Sequence, residues 1–413
     1  MSSGAFIAAA KRTPFGAFGG SLRSLSANEL GGLAAKTVIN DLPKSFQGKI
    51  REQAELPAIS SVIFGNVAQT SKDAMYLARH VGHRAGLPVN TPALTINRLC
   101  GSGFQSIINA VQEIKAGDSE VVLTGGSENM SQAPYVLRDV RWGTKFGLEY
   151  LKMEDSLACA LTDQYPSPIP MAITAEKLGE KYSITREMCD EFALKSQQRW
   201  VEANSQDVFR DEITPIEIQV KKKGKGTVTQ LMTVDEYPRP GTTIEALRAL
   251  KPVFKADGMV TAGNASGIND GAGAAIIASE AACSKHGFEP LSRIVSYHVV
   301  GVEPSLMGIG PADAIRGALK KAGLTLDDMD LVEVNEAFAA QYLAVEKELG
   351  LDPARTNVCG GAIAIGHPLA ASGSRIMAHL AHRLVATRKR FAVGSACIGG
   401  GQGIAIVIEN MKL

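Results

Sequence analysis

Four segments of the 413-residue chain carry side chains suited to covalent and proton-transfer chemistry. Cys100 stands in Asn97-Arg98-Leu99-Cys100-Gly101-Ser102-Gly103, after an apolar run and directly before a helical pattern. A thiol at a helix N-terminus meets the positive end of the backbone dipole and free N–H groups, which favour the nucleophilic thiolate. Gly101 and Gly103 would let a substrate carbonyl approach the backbone. His367, in Gly366-His367-Pro368, lies in a glycine-rich loop before another helix, where an imidazole of near-neutral pKa can deprotonate a thiol or donate to an oxyanion. Cys397 follows a buried strand in Gly394-Ser395-Ala396-Cys397-Ile398-Gly399-Gly400-Gly401. Glycine on both sides suggests close approach of a ligand, and a second activated thiol suits proton transfer at carbon. Asn335 follows the apolar run Leu331–Val334, and an amide at a strand's C-terminal end commonly faces an α/β crevice, where it can hold a water. Each segment also has a plainer reading: a buried structural cysteine, a turn histidine, a packed strand end. Only their combination is specific.

The elements that must position these groups follow an α/β rhythm. Residues 5–10 read as a first strand, and Ser26 with Glu29 forms a capping box ahead of an Ala-rich helix reaching about Asn40. Residues 61–64 and 120–123 read as buried strands, each followed by glycine (Gly65, Gly125, Gly126) where the chain is expected to turn, with a helix over 103–115 between them. From about residue 130 to 256 the texture changes to proline clusters and the polar run Lys221-Lys222-Lys223-Gly224-Lys225-Gly226, which reads as a solvated hairpin in an inserted loop domain. The rhythm then returns, with strands over 274–278, 293–296 and 331–334 and helices over 312–322 and 373–386. In each half a Cys-Gly turn opens a long helix that precedes a strand with trailing glycine, which suggests a weak internal duplication. The expected division is 1–129 completed by 257–283, a loop domain over 130–256, and a second half over 284–413.

Bulk properties narrow the function classes. With 43 Lys and Arg against 42 Asp and Glu, no overall field draws the chain to nucleic acid or an anionic membrane, so an anionic ligand must be held locally. No run approaches the roughly 18 apolar residues of a membrane span. The six cysteines are scattered without a CxxC pair or a secretory leader, which favours free thiols in a reducing compartment. The first strand leaves little room for a leader, though Lys11 and Arg12 could belong to an uncleaved targeting signal. His80 and His83 form an HxxH pair without further ligands at zinc-like spacing, so no metal is expected.

Taken together and in this order, the segments around Cys100, Asn335-Glu336-Ala337-Phe338, Gly366-His367-Pro368 and Cys397-Ile398-Gly399-Gly400-Gly401 resemble the thiolase family over essentially the whole chain. Tyr76-Leu77-Ala78-Arg79-His80-Val81-Gly82 and Ser131-Gln132-Ala133-Pro134-Tyr135 resemble its 3-ketoacyl-CoA members of fatty-acid β-oxidation. The resemblance implies a thiolase fold, two similar α/β halves in a layered αβαβα arrangement with an inserted loop domain. It implies Cys100 as the nucleophile that takes the acyl group, His367 as its activator, and Cys397 as the acid or base at the α-carbon. Asn335, through a water, would form one oxyanion hole with His367. The backbone N–H groups of Cys100 and Gly399 would form the other. Coenzyme A, a substrate and not a covalently bound cofactor, would meet Arg239, Thr242 and Ser266, and Met171 would belong to a loop over the acyl pocket. Without the family, Arg239 between two prolines is a surface turn. The resemblance also implies acyl-CoA and CoA as partners, a homotetramer, and the mitochondrial matrix, with cytosol as the alternative.

Two departures are visible: Ala370 and Ala371 stand where the family often begins with glycine, and the stretch over 43–57 is long. A decarboxylating ketosynthase would pair two histidines with its nucleophile, whereas here the third group is Cys397. An acetoacetyl-CoA thiolase shares all four motifs, and the distinction lies in the loop around Met171 and Tyr150. The biosynthetic type commonly has histidine before that methionine. Pro170 stands there in this chain, which favours a degradative 3-ketoacyl-CoA enzyme. A non-catalytic lipid-binding relative would lack one of the three reactive groups.

Overall fold

The computed structural model describes residues 4–50, 57–144, 151–222 and 226–413, with the backbone alone for 220–222. Lys223 to Lys225 of the lysine run, Tyr150, and residues 51–56 of the long stretch therefore lie outside the described residues.

Apolar runs without polar alternation are the mark of strands buried on both faces, and the central sheet is built from them. Its strands are β1 (Ala5–Arg12), β2 (Gly16–Ala17), β3 (Ser61–Gly65), β4 (Ala93–Ile96), β5 (Val121–Asn129), β6 (Asn269–Ser279), β7 (Ser292–Gly301), β8 (Leu331–Val334), β9 (Phe391–Ile398) and β10 (Gln402–Asn410). They form one mixed sheet in the order β8-β9-β10-β7-β1-β6-β5-β3-β4, with β2 on β6. Two halves meet at its middle, where Phe6 pairs with Arg293 and Ile7 with Ser292.

Side-chain alternation assigns each face to a different layer. On β6, Ala275 and Ile277 enter a central core while Ala274, Ile276 and Ala278 enter an outer one. On β10, Ile404, Ile406 and Ile408 face the same central core while Ala405 and Val407 face the opposite outer one. A register shift between Ile7 and Ala9 lets β1 place both Ile7 and Ala10 in the central core. Helix α1 (Ala27–Asn40), started by the reciprocal Ser26–Glu29 capping box, covers one outer face. Helix α3 (Gly310–Ala322) covers the other. Between the halves run α2 (Ser102–Ala116) and α4 (Leu369–Thr387). Phe104, Ile107, Ile108 and Val111 of α2 meet Ile376, Leu380 and Leu384 of α4 in the central core. The succession helix, sheet, helix, sheet, helix is the five-layer α/β arrangement anticipated from the motifs.

The two central helices cross at glycine. A Cβ on Gly103 would lie 2.4 Å from the Ser374 nitrogen, and one on Gly373 2.4 Å from the Phe104 nitrogen. Gly103 is thus required by helix approach, and not by a substrate carbonyl as its position beside Cys100 suggested. Gly125 and Gly126 likewise do not turn the chain but lie inside β5, and Gly65 is the last residue of β3. A Cβ at Gly126 would be driven against the Ala370 carbonyl and one at Gly65 against Ser102, so these two permit dense packing of sheet on helix, while Gly125 makes room for Phe64 and the Gly273 carbonyl of the flanking strands.

The stretch after residue 130 holds more helix than its turn-rich composition suggests, including Met171–Lys181 and the 20-residue Arg186–Ser205. A buried charge cluster joins it to the sheet. Arg12 Nε donates to Glu212 at 2.7 Å, its Nη1 to Asp235 at 2.7 Å, and His379 Nδ1 lies 2.7 Å from Glu212. Arg12 is wholly buried in this cluster. Among the described residues, no helix is long and apolar enough to cross a membrane.

Candidate active site

The four motifs converge at the C-terminal ends of strands and the N-terminal ends of the two central helices. Cys100 lies in a tight 3-10 turn, Leu99–Gly101, between β4 and α2. Asn97 Oδ1 accepts from the Leu99 N–H at 2.9 Å, and Ser102 Oγ accepts from the Arg98 N–H and donates to the Leu99 carbonyl. These bonds hold Leu99 at φ 47°, a left-handed conformation unfavourable to a branched side chain and a common sign of a functional turn.

The Cys100 turn packs against the end of β9, since a Cβ on Gly101 would lie 2.5 Å from Ile398 and one on Gly399 3.3 Å from Leu99. The backbone N–H groups of Gly399 and Cys100, expected to form one oxyanion hole, favour the Cys100 thiolate. Burial nevertheless pushes its thiol up to about 11, with the charge of Glu128 adding to the effect. The helix-terminus argument from sequence is therefore overturned for the resting protein: loss of solvation outweighs the dipole, and the thiol stays protonated. Cys397, at the end of β9, is buried, and burial followed by the neighbouring Cys100 raises its thiol well above the ordinary range. It is a protonated acid rather than a pre-activated thiol.

His367 is also buried, and burial, helped by Arg375, pulls its imidazole down to about 3 instead of leaving it near neutrality. The ring is thus a neutral base. Its Nδ1 lies 2.5 Å from Ser372 Oγ, which is 3.3 Å from the Pro368 carbonyl. A carbonyl only accepts, so the hydroxyl donates to it and accepts from Nδ1–H, which leaves the Nε2 lone pair toward the site. Asn335 Nδ2 stands 3.3 Å from that Nε2, and its buried Oδ1 has no protein partner. The Asn335 N–H bonds the Ser395 carbonyl at 2.9 Å, which ties the end of β8 to the strand bearing Cys397.

Around these groups Val67, Met130, Leu157 and Leu369 pack with Cys100, and Met171, Met307, Ala337 and Phe338 pack with Cys397. Met171 opens a helix instead of lying in a loop, and its sulfur would be 3.2 Å from a Cβ on Gly399. The Ser266 N–H bonds the Ala337 carbonyl at 3.0 Å, and the next residue, Gly267, accepts the His367 backbone N–H at 3.1 Å, so the Ser266 segment runs beside the backbone of the His367 loop. Tyr237 lies against Gly267, and the exposed Arg239 guanidinium stands 6.0 Å from the Tyr237 ring. Thr242 closes the Arg239 turn, its Oγ donating to the Arg239 carbonyl at 2.7 Å. His80 bonds Asp73 and Asn28, and among the described residues no group of three or more His, Cys, Asp or Glu could hold a metal ion.

Three participants were not singled out from sequence. Ser372 and Arg375 act on His367 from the following turns of α4. Glu128 sits at the end of a buried strand, the same position that singled out Asn335. A charged residue at the end of so apolar a run was the available signal.

A strained turn at Cys100, a buried thiol at Cys397 and a neutral imidazole at His367, set at the junction of two α/β halves, are the features of a thiolase, and the comparisons agree. Residues 5–281 match the family description "Thiolase, N-terminal domain" and residues 288–410 "Thiolase, C-terminal domain", and the chain belongs to the thiolase family. It is 61% identical over 407 residues to human mitochondrial 3-ketoacyl-CoA thiolase, covering 98% of both chains. It is 46% identical over 409 residues to an acetyl-CoA acetyltransferase of Pseudomonas aeruginosa, again over 98% of each. The crystal structure of the human mitochondrial enzyme in complex with CoA superposes with a TM-score of 0.92 at 60% identity, covering 99% of this chain and 98% of that one.

Proposed function

We propose that the protein is an acyltransferase that cleaves 3-ketoacyl-CoA with CoA, giving acetyl-CoA and a shortened acyl-CoA, and that it works in mitochondria like the mitochondrial 3-ketoacyl-CoA thiolases it resembles. The observation that carries the mechanism is the packing of the Cys100 turn against the strand end bearing Cys397, where Gly101 abuts Ile398 and Gly399 abuts Leu99, with burial keeping both thiols protonated.

In this reading the Nε2 lone pair of His367 takes the Cys100 proton, and the thiolate attacks the 3-keto carbon. The resulting alkoxide collapses, the C2–C3 bond breaks, and the acyl group stays on Cys100 as a thioester. The departing electron pair forms the enolate of acetyl-CoA, which Cys397 protonates at carbon. CoA then gives its thiol proton to the Cys397 thiolate and attacks the acyl-cysteine. Acyl-CoA leaves, and the imidazolium returns its proton to Cys100. A thiol held well above its ordinary range fits this role, because it stays protonated until a carbanion forms beside it. Each oxyanion donor would contribute about 3 kcal/mol in the transition state. Arg239, Thr242 and Ser266 would receive CoA, with Arg239 meeting its phosphates. CoA enters as a free substrate, and we expect a homotetramer.

The test is CoA-dependent release of acetyl-CoA from short, medium and long 3-ketoacyl-CoAs without release of carbon dioxide. Cleavage confined to the shortest substrate would make the chain an acetoacetyl-CoA enzyme, and decarboxylation would overturn the reading.

A further inference from the structure

Glu128 is a fully buried carboxylate for which the chemistry above has no use. Its two oxygens gather four N–H donors. Oε1 accepts from Asn66 Nδ2 at 3.0 Å and the Ala68 N–H at 2.9 Å, and Oε2 from the Val67 N–H at 3.1 Å and the Ala370 N–H at 3.2 Å. These donors belong to two segments distant in sequence, the turn after β3 and the first turn of α4. Both segments, and the residue directly after β5, supply side chains packed around Cys100: Val67, Leu369 and Met130 share one apolar cluster with it. Ala370 follows His367-Pro368-Leu369 directly, so the carboxylate that gathers the surroundings of Cys100 also anchors the first turn of the helix that follows the imidazole. Little slack exists there, since Gly126, two residues before Glu128, already abuts the Ala370 carbonyl.

We propose that Glu128 is a positioning residue for the acyl-transfer step, its carboxylate locking the turn after β3 to the start of α4 so that Cys100 stays in reach of His367. This inference rests on the reading of Cys100 as nucleophile and His367 as base. Electrostatics support a second effect of the same group. Burial, and then Asp270 on β6, push the Glu128 carboxyl up to about 7 against the pull of its backbone donors. In its charged form it faces Cys100 and Asp270 and disfavours a free thiolate, so Cys100 ionises as its proton passes to the imidazole.

The experiment replaces Glu128 by Gln, which keeps the volume, leaves one oxygen to accept and turns an NH2 against the other two donors. Glu128→Gln is expected to lower kcat about tenfold or more while the KM for 3-ketoacyl-CoA changes less than about twofold, and to move the pH midpoint of Cys100 alkylation by iodoacetamide downward. Glu128→Asp restores the charge without the reach, so its alkylation midpoint should match the parent while kcat stays low. A merely structural role would lower the melting temperature and leave the midpoint in place. Parental kcat in Glu128→Gln, or an unmoved midpoint, overturns the inference, as does a Glu128→Asp midpoint displaced like that of Gln. If Glu128→Gln does not fold, Asn66→Ala, which removes one of the four donors, decides: a clear fall in kcat at constant KM supports the inference and parental kcat defeats it. Cys100→Ala is run beside them. Activity retained by that variant would refute the mechanism, whereas inactivity together with parental Glu128→Gln would refute only the role of Glu128.

Discussion

In the proposed mechanism the neutral imidazole of His367 becomes an imidazolium as Cys100 loses its proton, and the bond from its Nδ1–H to Ser372 Oγ strengthens in that step. Replacing Ser372 by Ala removes this acceptor from a buried ring. A neutral hydrogen bond contributes about 1 kcal/mol and a charge-assisted one about 2.5 kcal/mol, so the transition state should lose about 1.5 kcal/mol more than the ground state. That difference is about a tenfold fall in kcat. Folding stability should fall by about 1 kcal/mol, because only the neutral bond is present in the resting protein. Steady-state thiolysis and denaturant unfolding measure the two quantities separately, and the rate of Cys100 alkylation by iodoacetamide near neutral pH should fall with kcat. A Ser372→Ala enzyme with undiminished kcat but reduced stability would refute the reasoning, since the hydroxyl would then be structural and the base oriented by something else.

Further outcomes follow from the same geometry. Cys397→Ala should still acquire an acyl group on Cys100 from acyl-CoA, yet lose hydrogen exchange at the α-carbon of acetyl-CoA by about a hundredfold or more, which deuterium incorporation detects; unimpaired exchange would assign the proton transfer elsewhere. Arg239→Ala should raise the KM for CoA about tenfold with little change in kcat, and added salt should shrink the difference between variant and parent. An unchanged KM would remove Arg239 from the CoA site. Burial lowers the His379 imidazole, but Glu212 overrides this and raises it to about 10. The folded state therefore holds a proton that the unfolded state gives up above about pH 6.5, so this contribution is complete below that pH and is lost as pH rises toward 10. Thermal melting between neutral pH and about pH 10 should decline in the parent and flatten in His379→Gln. An equal decline in both would place the alkaline lability outside the Arg12 cluster.

Elements whose pattern is local were legible in the sequence. The Ser26–Glu29 box marks the start of α1, and Leu331–Val334 has the bounds expected of it, because capping and apolar runs depend on neighbouring residues alone. Glycine was misread where its reason lay in a distant partner. Nothing near Gly103 or Gly126 in the chain reveals that α4 passes against them. The residues of the candidate site could be named individually, but their protonation could not. A helix terminus next to Cys100 argues for a thiolate, whereas burial by elements hundreds of residues away holds the thiol at about 11 and His367 at about 3. Ser372 escaped notice for a related reason, since a serine in a helix carries no sign of the groups that tertiary packing sets against it, whereas Glu128, a charge inside the buried end of β5, left a signal that pointed to no particular partner.

Mixing the enzyme with a 3-ketoacyl-CoA in the absence of free CoA tests the central claim most directly. Intact-mass and peptide mass spectrometry should find one shortened acyl group per chain, on the peptide containing Cys100, with an equal amount of acetyl-CoA released. An acyl group on any other cysteine, or acetyl-CoA released while Cys100 remains unmodified, would contradict the account.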